Sequence, residues 1–491
     1  MMQEEQDRLG RLEKLRQSGK DPYPTKGNRT LVVQDFLDQF ETLQSASTVV
    51  TLVGRLRLLR PHGGLTFGQI QDESGLLQIA FKKDHLADTY EQIQDTIDIG
   101  DFLEVSGTAF TTKKGERSVD VAAFRILTKT LLPLPEKWHG VSDVETRFRK
   151  RYLDLIMNEN VRKTMKTRSK IISSIRSLLD RRGFLEVETP TLQPVYGGGF
   201  ARPFVTHHNA LDADFYLRIS DEMYLKRLLV GGFEKVYEIT KVFRNEGIDR
   251  DHNPEFTMFE AQIAYENYAY GMDIFEELFE HAAKQATGST TVQHGDFMVE
   301  LARPWKRMKL IDAVEEVGGV PAATWSDFDS AMSLMDKKLP KAKRGELKRI
   351  TSTGELLALA FEELVEEQLI QPTIICDYPV EVSPLAKKCT SDPRFVERFE
   401  AFALGSEIGN NYSELNDPVD LEKRFLEEKD REEAGFDEAH QTDYGYLEAI
   451  KHGMPPACGL GIGVDRMVML LTGSANIKEV ILFPTLRPER E

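Results

Sequence analysis

The segment VYEITKVFRNEGIDRDHNPEFTMFEAQIAY, residues 236–265, predicts two strands joined by a charged loop. Residues 247–254 supply the Gly, Asp, Asn, His and Pro that turns select. Because side chains alternate between the two faces of a strand, Glu238, Arg244 and Glu246 are expected on one face of the first strand. The second strand should place four side chains on one face: Phe256, Met258, Glu260 and Gln262. This surface can hold a nucleotide beside a cationic group, although a solvated hairpin with exposed ion pairs shows the same pattern.

The composition is that of a soluble globular protein of several domains. The chain has 491 residues, of which 41% are hydrophobic and 29% charged. Its three cysteines lack metal-ligand spacing, which predicts a reducing, cytoplasmic location without a disulfide framework. The polar N-terminal residues and the lack of a long apolar run predict neither a signal peptide nor a membrane helix. A net charge of −17 argues against non-specific coating of nucleic acid, but leaves room for a local basic face.

The N-terminal part predicts a helix at residues 3–18, then short alternating strands at 48–128. Five strands at this spacing favour a small closed barrel of the OB type, which binds single-stranded nucleic acid on one face. An aromatic and three polar side chains can form a base-reading patch there: Arg55, Phe67, Gln78 and Glu116. Phe67 can instead be a core residue of the barrel, and the residues alone slightly favour this alternative.

The remainder of the chain mixes long helices with dispersed strands. Helices are expected near residues 162–182, 268–287, 353–368 and 418–434. Strands without repeated βαβ units favour an α+β fold built on an antiparallel sheet. The chain contains no Gly-rich phosphate loop of the P-loop or dinucleotide type.

A second hairpin, residues 398–415, carries carboxylates of interest. With Gly405-Ser406 as its turn, Glu400 and Glu407 share a face, where Mg²⁺ can relieve their repulsion. Two exposed glutamates on an edge are the alternative. Three further polar residues have the opposite parity to Glu407: Asn410, Tyr412 and Glu414. They either face away or are turned back by a bulge near Gly409, and we favour the bulge.

The third segment is GLGIGVDR, residues 459–466, followed by an apolar run. Glycine at every second position leaves one strand face bare, so that a flat ligand can approach the backbone. Asp465 is expected to cap the next helix and Arg466 to lie in its first turn, an arrangement that suits a polyphosphate. Tight packing of another element on the bare face is the alternative.

Together these segments resemble the signature of class II aminoacyl-tRNA synthetases, and most closely the bacterial-type lysyl-tRNA synthetases. Residues 183–190, GFLEVETP, are similar to the first motif, residues 243–257 to the second and residues 459–466 to the third. Several family phrases recur: RYLDLI (151–156), ARPF (201–204), THHNALD (206–212), EVSPLAK (381–387) and ELND (414–417). The resemblance divides the chain into an N-terminal helical extension (1–46), an OB-fold anticodon-binding domain (47–130), a linker (131–160) and a class II catalytic domain (161–491).

The resemblance also implies roles for individual residues. Catalysis falls to Arg244, Glu246 and Arg466. ATP is contacted by Arg244, Glu246, His252, Asn253, Phe256, Glu407 and Arg466. Lysine is contacted by Gly198, Glu222, Glu260, Gln262, Asn410, Tyr412 and Glu414, with Glu414 paired to the ε-ammonium. Mg²⁺ is held by Glu400 and Glu407, and the anticodon by Arg55, Phe67, Gln78 and Glu116.

The implied partners are ATP, L-lysine, tRNA(Lys) and a second copy of the chain, bound through the first motif. One departure concerns Gln262, where the family usually has tyrosine; the amide oxygen can still accept a hydrogen bond from an ammonium. Three alternatives remain at this point. They are a paralogue that lysylates a protein, although such paralogues lack the N-terminal barrel; a binding protein on a decayed synthetase fold; and a synthetase for another amino acid.

Overall fold

The structure, a computed structural model, describes residues 3–135, 143–199, 201–340, 343–433 and 443–489. The chain forms two compact units, Met1–Ser142 and Asp143–Glu491. None of the described helices combines the length and the apolar character needed to cross a membrane.

Unit 1 is the closed barrel that the sequence predicts, with strand order β1-β2-β3-β5-β4. Its strands are β1 (Val49–His62), β2 (Leu65–Gln71), β3 (Leu76–Lys82), β4 (Phe102–Thr111) and β5 (Arg117–Thr128). Its helices are α1 (Gln3–Gln17), α2 (Val33–Asp38), α3 (Phe40–Ser45), α4 (Lys83–Leu86) and α5 (Asp88–Thr96). Alternate strand residues such as Leu52, Ile70 and Ile79 fill the interior, so the opposite positions face outward.

Unit 2 is built on an eight-stranded sheet of order β14-β15-β16-β17-β18-β11-β10-β6, antiparallel except at β14-β15 and β10-β6. The strands are β6 (Leu185–Glu186), β7 (Leu192–Gln193), β8 (Val205–His208), β9 (Ala213–Leu217), β10 (Lys235–Phe243), β11 (Glu255–Ala264), β12 (Thr291–His294), β13 (Phe297–Glu300), β14 (Lys306–Lys309), β15 (Thr373–Pro379), β16 (Phe395–Ala403), β17 (Ser406–Ser413) and β18 (Ala457–Gly463). The mostly antiparallel α+β fold expected from the sequence is confirmed.

The helices of unit 2 are α6 (Val144–Arg149), α7 (Arg151–Met157), α8 (Glu159–Arg181), α9 (Glu222–Val230), α10 (Tyr268–Thr287), α11 (Leu310–Glu316), α12 (Phe328–Lys338), α13 (Thr353–Leu364), α14 (Pro418–Glu433), α15 (Tyr444–Lys451), α16 (Val464–Thr472) and α17 (Ile477–Val480). Short 3-10 helices lie at Ala322–Ser326, Glu346–Arg349, Glu366–Gln368 and Val380–Val382. The apolar residues of α8 and α10 pack on one face of the large sheet, against residues such as Phe259, Phe399 and Leu460. On the other face, polar residues occupy the central strands, and apolar residues such as Phe402 and Val236 pack in core clusters on either side of them.

Candidate active site

Four adjacent strands, β16, β17, β18 and β11, align their polar residues in rows across this second face. Cross-strand partners in a sheet point to the same side. One row consists of Glu400, Asn410, Gly461 and Glu260. The next row consists of Arg398, Tyr412, Gly459 and Gln262. The register therefore joins residues that are up to 200 positions apart in the chain onto one surface.

The glycines of β18 make room in the middle of these rows. A Cβ added to Gly459 would overlap the side chains of Glu414 and Gln262. A Cβ added to Gly409 on the neighbouring strand would lie 2.5 Å from the carbonyl oxygen of Gly461. The bare strand face expected from the sequence is thus occupied by the polar groups of its neighbours, which a larger residue would displace.

The bulge expected near Gly409 is present, but the expected turn is wrong. Ala403 pairs with Ser406, so Leu404 and Gly405 form the turn, and both have positive φ. Ala401 then pairs with Gly409 while Phe402 pairs with Glu407, which leaves one extra residue in β17. Because of that extra residue, Glu407 and the later polar residues of β17 face the same side. The four residues concerned are Glu407, Asn410, Tyr412 and Glu414.

Two neighbouring cavities open on this face, of about 290 Å³ and about 250 Å³. The first is lined by every residue that the resemblance assigns to lysine except Glu414: Gly198, Glu222, Glu260, Gln262, Asn410 and Tyr412. The second is lined by every residue assigned to ATP: Arg244, Glu246, His252, Asn253, Phe256, Glu407 and Arg466. Both cavities share Arg244, Glu407 and Asn410, so a reaction between two bound molecules can take place at their junction.

Arg244 is the central cation of this junction. It follows the end of β10 rather than lying in the strand, and its guanidinium carbon stands 5.2 Å from the centre of the Phe256 ring. Its buried Nε has no hydrogen-bond partner among the described residues. Burial lowers the pKa of Arg244, against the opposing effect of Glu246, Glu260 and Glu407. An anion at this point would satisfy both the charge and the free donor.

Glu400 is held by Tyr378 and Arg398. The Tyr378 hydroxyl donates to Glu400 Oε2 over 2.9 Å, and Arg398 Nη2 donates to the other oxygen. Burial raises the pKa of Glu400; Arg398 opposes the shift, and the nearby Glu407 adds to it. Glu407 accepts from Asn410 Nδ2 over 3.3 Å and lies 3.6 Å from Arg466 Nη1. Arg398 and Arg466 therefore compensate part of the negative charge of the two carboxylates, whose mutual repulsion remains.

The far end of the first cavity is a network of buried charges. Lys226 of α9 has a fully buried side chain and pairs with Glu222 and, over 2.6 Å, with Glu414 Oε2. The other oxygen of Glu414 accepts from Gln262 Nε2 over 2.8 Å. Tyr412 donates its hydroxyl to Glu222. Burial raises the pKa of Glu414 to about 7, although Lys226 lowers it.

One wall of the second cavity carries the cationic side chain of Arg466 and the ring of His252. Arg466 donates to the carbonyl oxygen of Glu407 over 2.8 Å, and its Nη2 stands 3.4 Å from His252 Nε2. His252 is also paired with Asp249, and Glu246 is exposed. Asn253 is buried, and its side-chain amide donates a hydrogen bond to the carbonyl oxygen of Glu255 over 2.6 Å.

The expected capping role of Asp465 is wrong. The residue before α16 is Gly463, and no side chain caps the helix there. Asp465 instead accepts from the backbone N–H of Thr257 over 2.6 Å and from Arg168 of α8. It therefore joins α16 to β11 and α8, and this fixes the position of Arg466 next to it.

Sequence reasoning missed two residues of this site, and signals for both were present. Lys226 stands four positions after Glu222 on the same helix, the spacing of an ion pair. Arg398 stands two positions before Glu400 on the same strand, so both share a face. Neither signal was decisive, because exposed ion pairs have the same spacing.

In the barrel, the predicted base-reading residues lie on the outer surface. Phe67 is half-buried and outside the core, which excludes the alternative that it fills the barrel interior. Gln78 donates to Ser118 over 2.9 Å and faces Gln69, which is two positions from Phe67 on β2. Arg55 stacks on Phe102 at 4.2 Å, and Glu116 is exposed next to the start of β5. Phe67 and Gln78 are therefore close neighbours, whereas Arg55 and Glu116 lie towards the sides of the face.

Comparisons with known proteins agree with this geometry. Residues 143–487 match the family described as class II tRNA synthetases (D, K and N), and residues 50–127 match the OB-fold nucleic acid binding domain. A lysine–tRNA ligase of Carboxydothermus hydrogenoformans is 49% identical over 98% of this chain and 97% of its own length. The chain belongs to the bacterial class II lysyl-tRNA synthetases.

Two further lysine–tRNA ligases are similar to this synthetase over nearly the full length. That of Moorella thermoacetica is 46% identical over 99% of this chain and 98% of its own. That of Clostridium tetani is 47% identical over 98% and 96%. The family, the OB fold and the class II catalytic fold expected from the sequence of this synthetase are therefore confirmed.

Proposed function

We propose that the two cavities divide the lysine–tRNA ligase reaction between them, with lysine in the first and ATP in the second. The lysine carboxylate attacks the α-phosphorus of ATP, the bond to the bridging oxygen breaks, and pyrophosphate leaves. The terminal ribose hydroxyl of tRNA(Lys) then attacks the lysyl carbonyl, forming an ester and releasing AMP. The observation that carries this proposal is the half-buried Arg244, which lines both cavities and has a buried Nε without a hydrogen-bond partner among the described residues.

Arg244 binds the lysine carboxylate and the α-phosphate together, so it brings the two reacting groups into contact. No side chain needs to act as nucleophile, because correct orientation and neutralised charge lower the barrier for phosphoryl transfer. Glu260 lies near Arg244 in the same cavity and holds the α-ammonium of lysine, while Gly198 leaves space there. Glu222 lines the far end of the cavity, beside Lys226. Gly198 has φ +82 and an added Cβ would stand 2.8 Å from Ser220 Oγ, so a larger residue is strained there.

The lysine side chain extends towards Gln262, Tyr412 and Glu414. A buried ammonium needs a negative partner, since an unpaired charge in the interior is very costly. Glu414 supplies that charge at the end of the cavity. This polarity favours lysine over a neutral side chain of the same length.

ATP lies along the second cavity. Phe256 and Arg466 hold the adenine between a ring and a guanidinium plane, and Arg466 also reaches the γ-phosphate. Glu246, His252 and Asn253 surround the nucleotide. The position of Arg466 at the beginning of α16 adds the positive end of that helix to the site.

Glu400 and Glu407 are the residues that would hold Mg²⁺. Among the described residues no three His, Cys, Asp or Glu side chains converge as a complete metal site. Two carboxylates still fit this ion, because Mg²⁺ takes its remaining ligands from phosphates and water. Burial and, to a smaller extent, the neighbouring Glu407 raise the pKa of the half-buried Glu400, so a cation between the two carboxylates would relieve their repulsion. Held by these two carboxylates, Mg²⁺ would supply positive charge to neutralise the leaving pyrophosphate.

The outer face of the barrel binds the anticodon of tRNA(Lys). Phe67 offers a stacking surface, and Arg55, Gln78 and Glu116 offer donors and acceptors to base edges. The half-buried position of Phe67 on the outer face supports this role, since a core residue would be inaccessible to a base.

We also propose a homodimer, assembled through α8 and β6. The strand β6 lies at the edge of the eight-stranded sheet and carries the exposed Leu185. An open edge and an exposed apolar side chain are features that a second copy can cover. The three cysteines are free thiols, which agrees with a cytoplasmic location.

The test is ATP–pyrophosphate exchange by the full chain with each of the twenty amino acids, with and without tRNA. Lysine should support exchange in the absence of tRNA, and tRNA(Lys) should become charged when added. Exchange that depends on another amino acid would overturn lysine as substrate. Absence of exchange with every amino acid would overturn the enzymatic assignment.

A further inference from the structure

Lys226 carries a buried ammonium group at the end of the first cavity. No step of the proposed reaction uses this group. Its side chain has no exposure to solvent, although lysine is rarely buried unless it is paired. Its Nζ contacts Glu222 and Glu414 and stands 3.5 Å from the Tyr412 hydroxyl. The ammonium thus has a hydrogen bond to Glu222, a long one to Tyr412 and an ion pair with Glu414, and all three residues belong to the lysine site.

Glu414 lies behind Gln262 rather than on the cavity surface. Gln262, Glu222 and Tyr412 line the first cavity, whereas Glu414 is 1% exposed. One oxygen of Glu414 forms an ion pair with Lys226, and the other accepts a hydrogen bond from Gln262. An ionised carboxylate only accepts hydrogen bonds, so the amide nitrogen of Gln262 must face Glu414. The amide oxygen then faces the other way.

The amide oxygen of Gln262 indicates where a ligand would bind. Gln262 Oε1 is buried and has no hydrogen-bond partner among the described residues. Leaving a buried acceptor without a partner is unfavourable, so its presence at the end of a cavity indicates a ligand that donates a hydrogen bond there. The donor that fits is a terminal ammonium.

We propose that Lys226 is the positioning residue of the amino-acid pocket: it holds Glu414 as a carboxylate behind Gln262, which orients the amide oxygen towards the ligand's terminal ammonium. Lys226 also cancels one of the two negative charges of Glu222 and Glu414, leaving one for a single ligand ammonium. This inference rests on the proposed binding of lysine in the first cavity.

The charge of Glu414 connects this arrangement to pH. Burial raises its pKa to about 7, and Lys226 lowers it. The other charged or titratable groups near the pair are Glu222 on α9, Tyr412 on β17, Tyr446 on α15 and Cys458 on β18. Below its pKa, Glu414 carries a proton, can donate to Gln262 Oε1, and lets the amide turn its NH₂ group towards the ligand. Lysine binding should therefore weaken as pH falls through the pKa of Glu414.

Removing the ammonium should move this weakening to higher pH. In Lys226→Met, Glu414 loses the group that lowers its pKa, so the rise in KM for lysine should begin at least about one pH unit higher. KM should then be at least about threefold above wild type near pH 7.5 and should approach tenfold near about pH 6. The kcat for exchange should change less than about threefold, because Lys226 does not touch the reacting atoms. Lys226→Arg keeps the charge and should keep the pH midpoint, whatever its effect on KM.

The experiment measures lysine-dependent exchange by the full chain from about pH 6 to pH 9, with thermal unfolding as the check on folding. The matched control is Lys284→Met, which removes an ion pair of the same i,i+4 spacing, Lys284 with Glu280 at 3.0 Å, from the exposed side of α10. The control should leave the KM profile unchanged. A Lys226→Met profile identical to wild type, or an equal loss of kcat and kcat/KM without a pH shift, would overturn the inference.

Two further outcomes keep the test decisive. Where Lys226→Met does not fold, the Lys226→Arg profile decides: a midpoint that moves upward although the charge is kept contradicts the proposal, and an unmoved midpoint supports it. Where the wild-type chain shows no lysine-dependent exchange, the proposed function itself fails, which separates that failure from a failure of the role of Lys226.

Discussion

The outer face of the barrel and the polar face of the catalytic sheet are both built by side chains that alternate along strands, yet they differ in burial. On the barrel, Phe67 and Gln78 are half-exposed and Glu116 is exposed. On the catalytic sheet, Glu260 and Gln262 are buried, and burial raises the pKa of Glu260 well above its usual range. When a partner is removed, an exposed polar group can still hydrogen-bond to water. A buried polar or charged group is left without any hydrogen-bond or charge partner. Substitutions should therefore cause small to moderate losses of activity on the barrel and large losses on the catalytic sheet.

The largest effect is expected from Arg244→Ala. It leaves Glu246, Glu260 and Glu407 without their shared cation and removes the contact to the α-phosphate. Lysine-dependent exchange should fall about a thousandfold, as for other groups that stabilise developing charge. Circular dichroism should show an intact fold. The control is Arg250→Ala, an arginine of the same loop with an exposed side chain, which should retain exchange within about threefold. Near wild-type exchange in Arg244→Ala would contradict its central role.

The next effect concerns the space beside β18. In Gly459→Ala the new methyl group overlaps Glu414 and Gln262, so the KM for lysine should rise by about 10- to 100-fold while the KM for ATP stays within about threefold. In Gly463→Ala the nearest atoms belong to the Arg466 side chain at 3.8 Å, and the effect should be smaller. Separate KM measurements for lysine and ATP check this. If both substitutions change the KM for lysine equally, the space between Gly459, Glu414 and Gln262 is not tightly packed.

A smaller and differently placed effect is expected from Phe67→Ala in the barrel. Loss of one stacking surface costs about 1–3 kcal/mol, so tRNA charging should fall by about 10- to 100-fold. Exchange without tRNA should not change. Tyr23→Ala, which removes another exposed aromatic of the same unit, is the control and should leave charging near wild type. An equal loss in charging and in exchange for Phe67→Ala would exclude a stacking role.

The smallest effect is expected from Glu116→Ala. This exposed carboxylate can contribute only a weak, solvent-screened contact, so charging should fall by no more than about threefold. Aminoacylation kinetics with tRNA(Lys) at low and high salt measure this. A loss of tenfold or more would mean that Glu116 reads a base edge by a directional hydrogen bond. Exposed residues of the barrel could then be as sensitive to substitution as buried residues of the sheet.

Much of the catalytic face could be predicted because strand alternation is a local property. Glu260 and Gln262 share a face for that reason alone. The bulge near Gly409 could be inferred only from the need to bring Glu414 inward, and the structure has it. The turn at Leu404-Gly405 was missed because Leu404 with φ +56 is unusual for a non-glycine residue. The role of Asp465 was missed because its partners, Thr257 and Arg168, are distant in the chain.

The sequence by itself determined the family, the two folds, the alternating faces and the need for bare glycines in β18, since these follow from motifs and local periodicity. Only the tertiary structure decided which charges meet. Lys226 lies between Glu222 and Glu414 because α9 packs beside β17 and β11, and Glu414 lies behind Gln262 because Gly459 leaves the space. The reason is physical: the energy of a buried charge depends on its three-dimensional neighbours, which one-dimensional spacing does not specify.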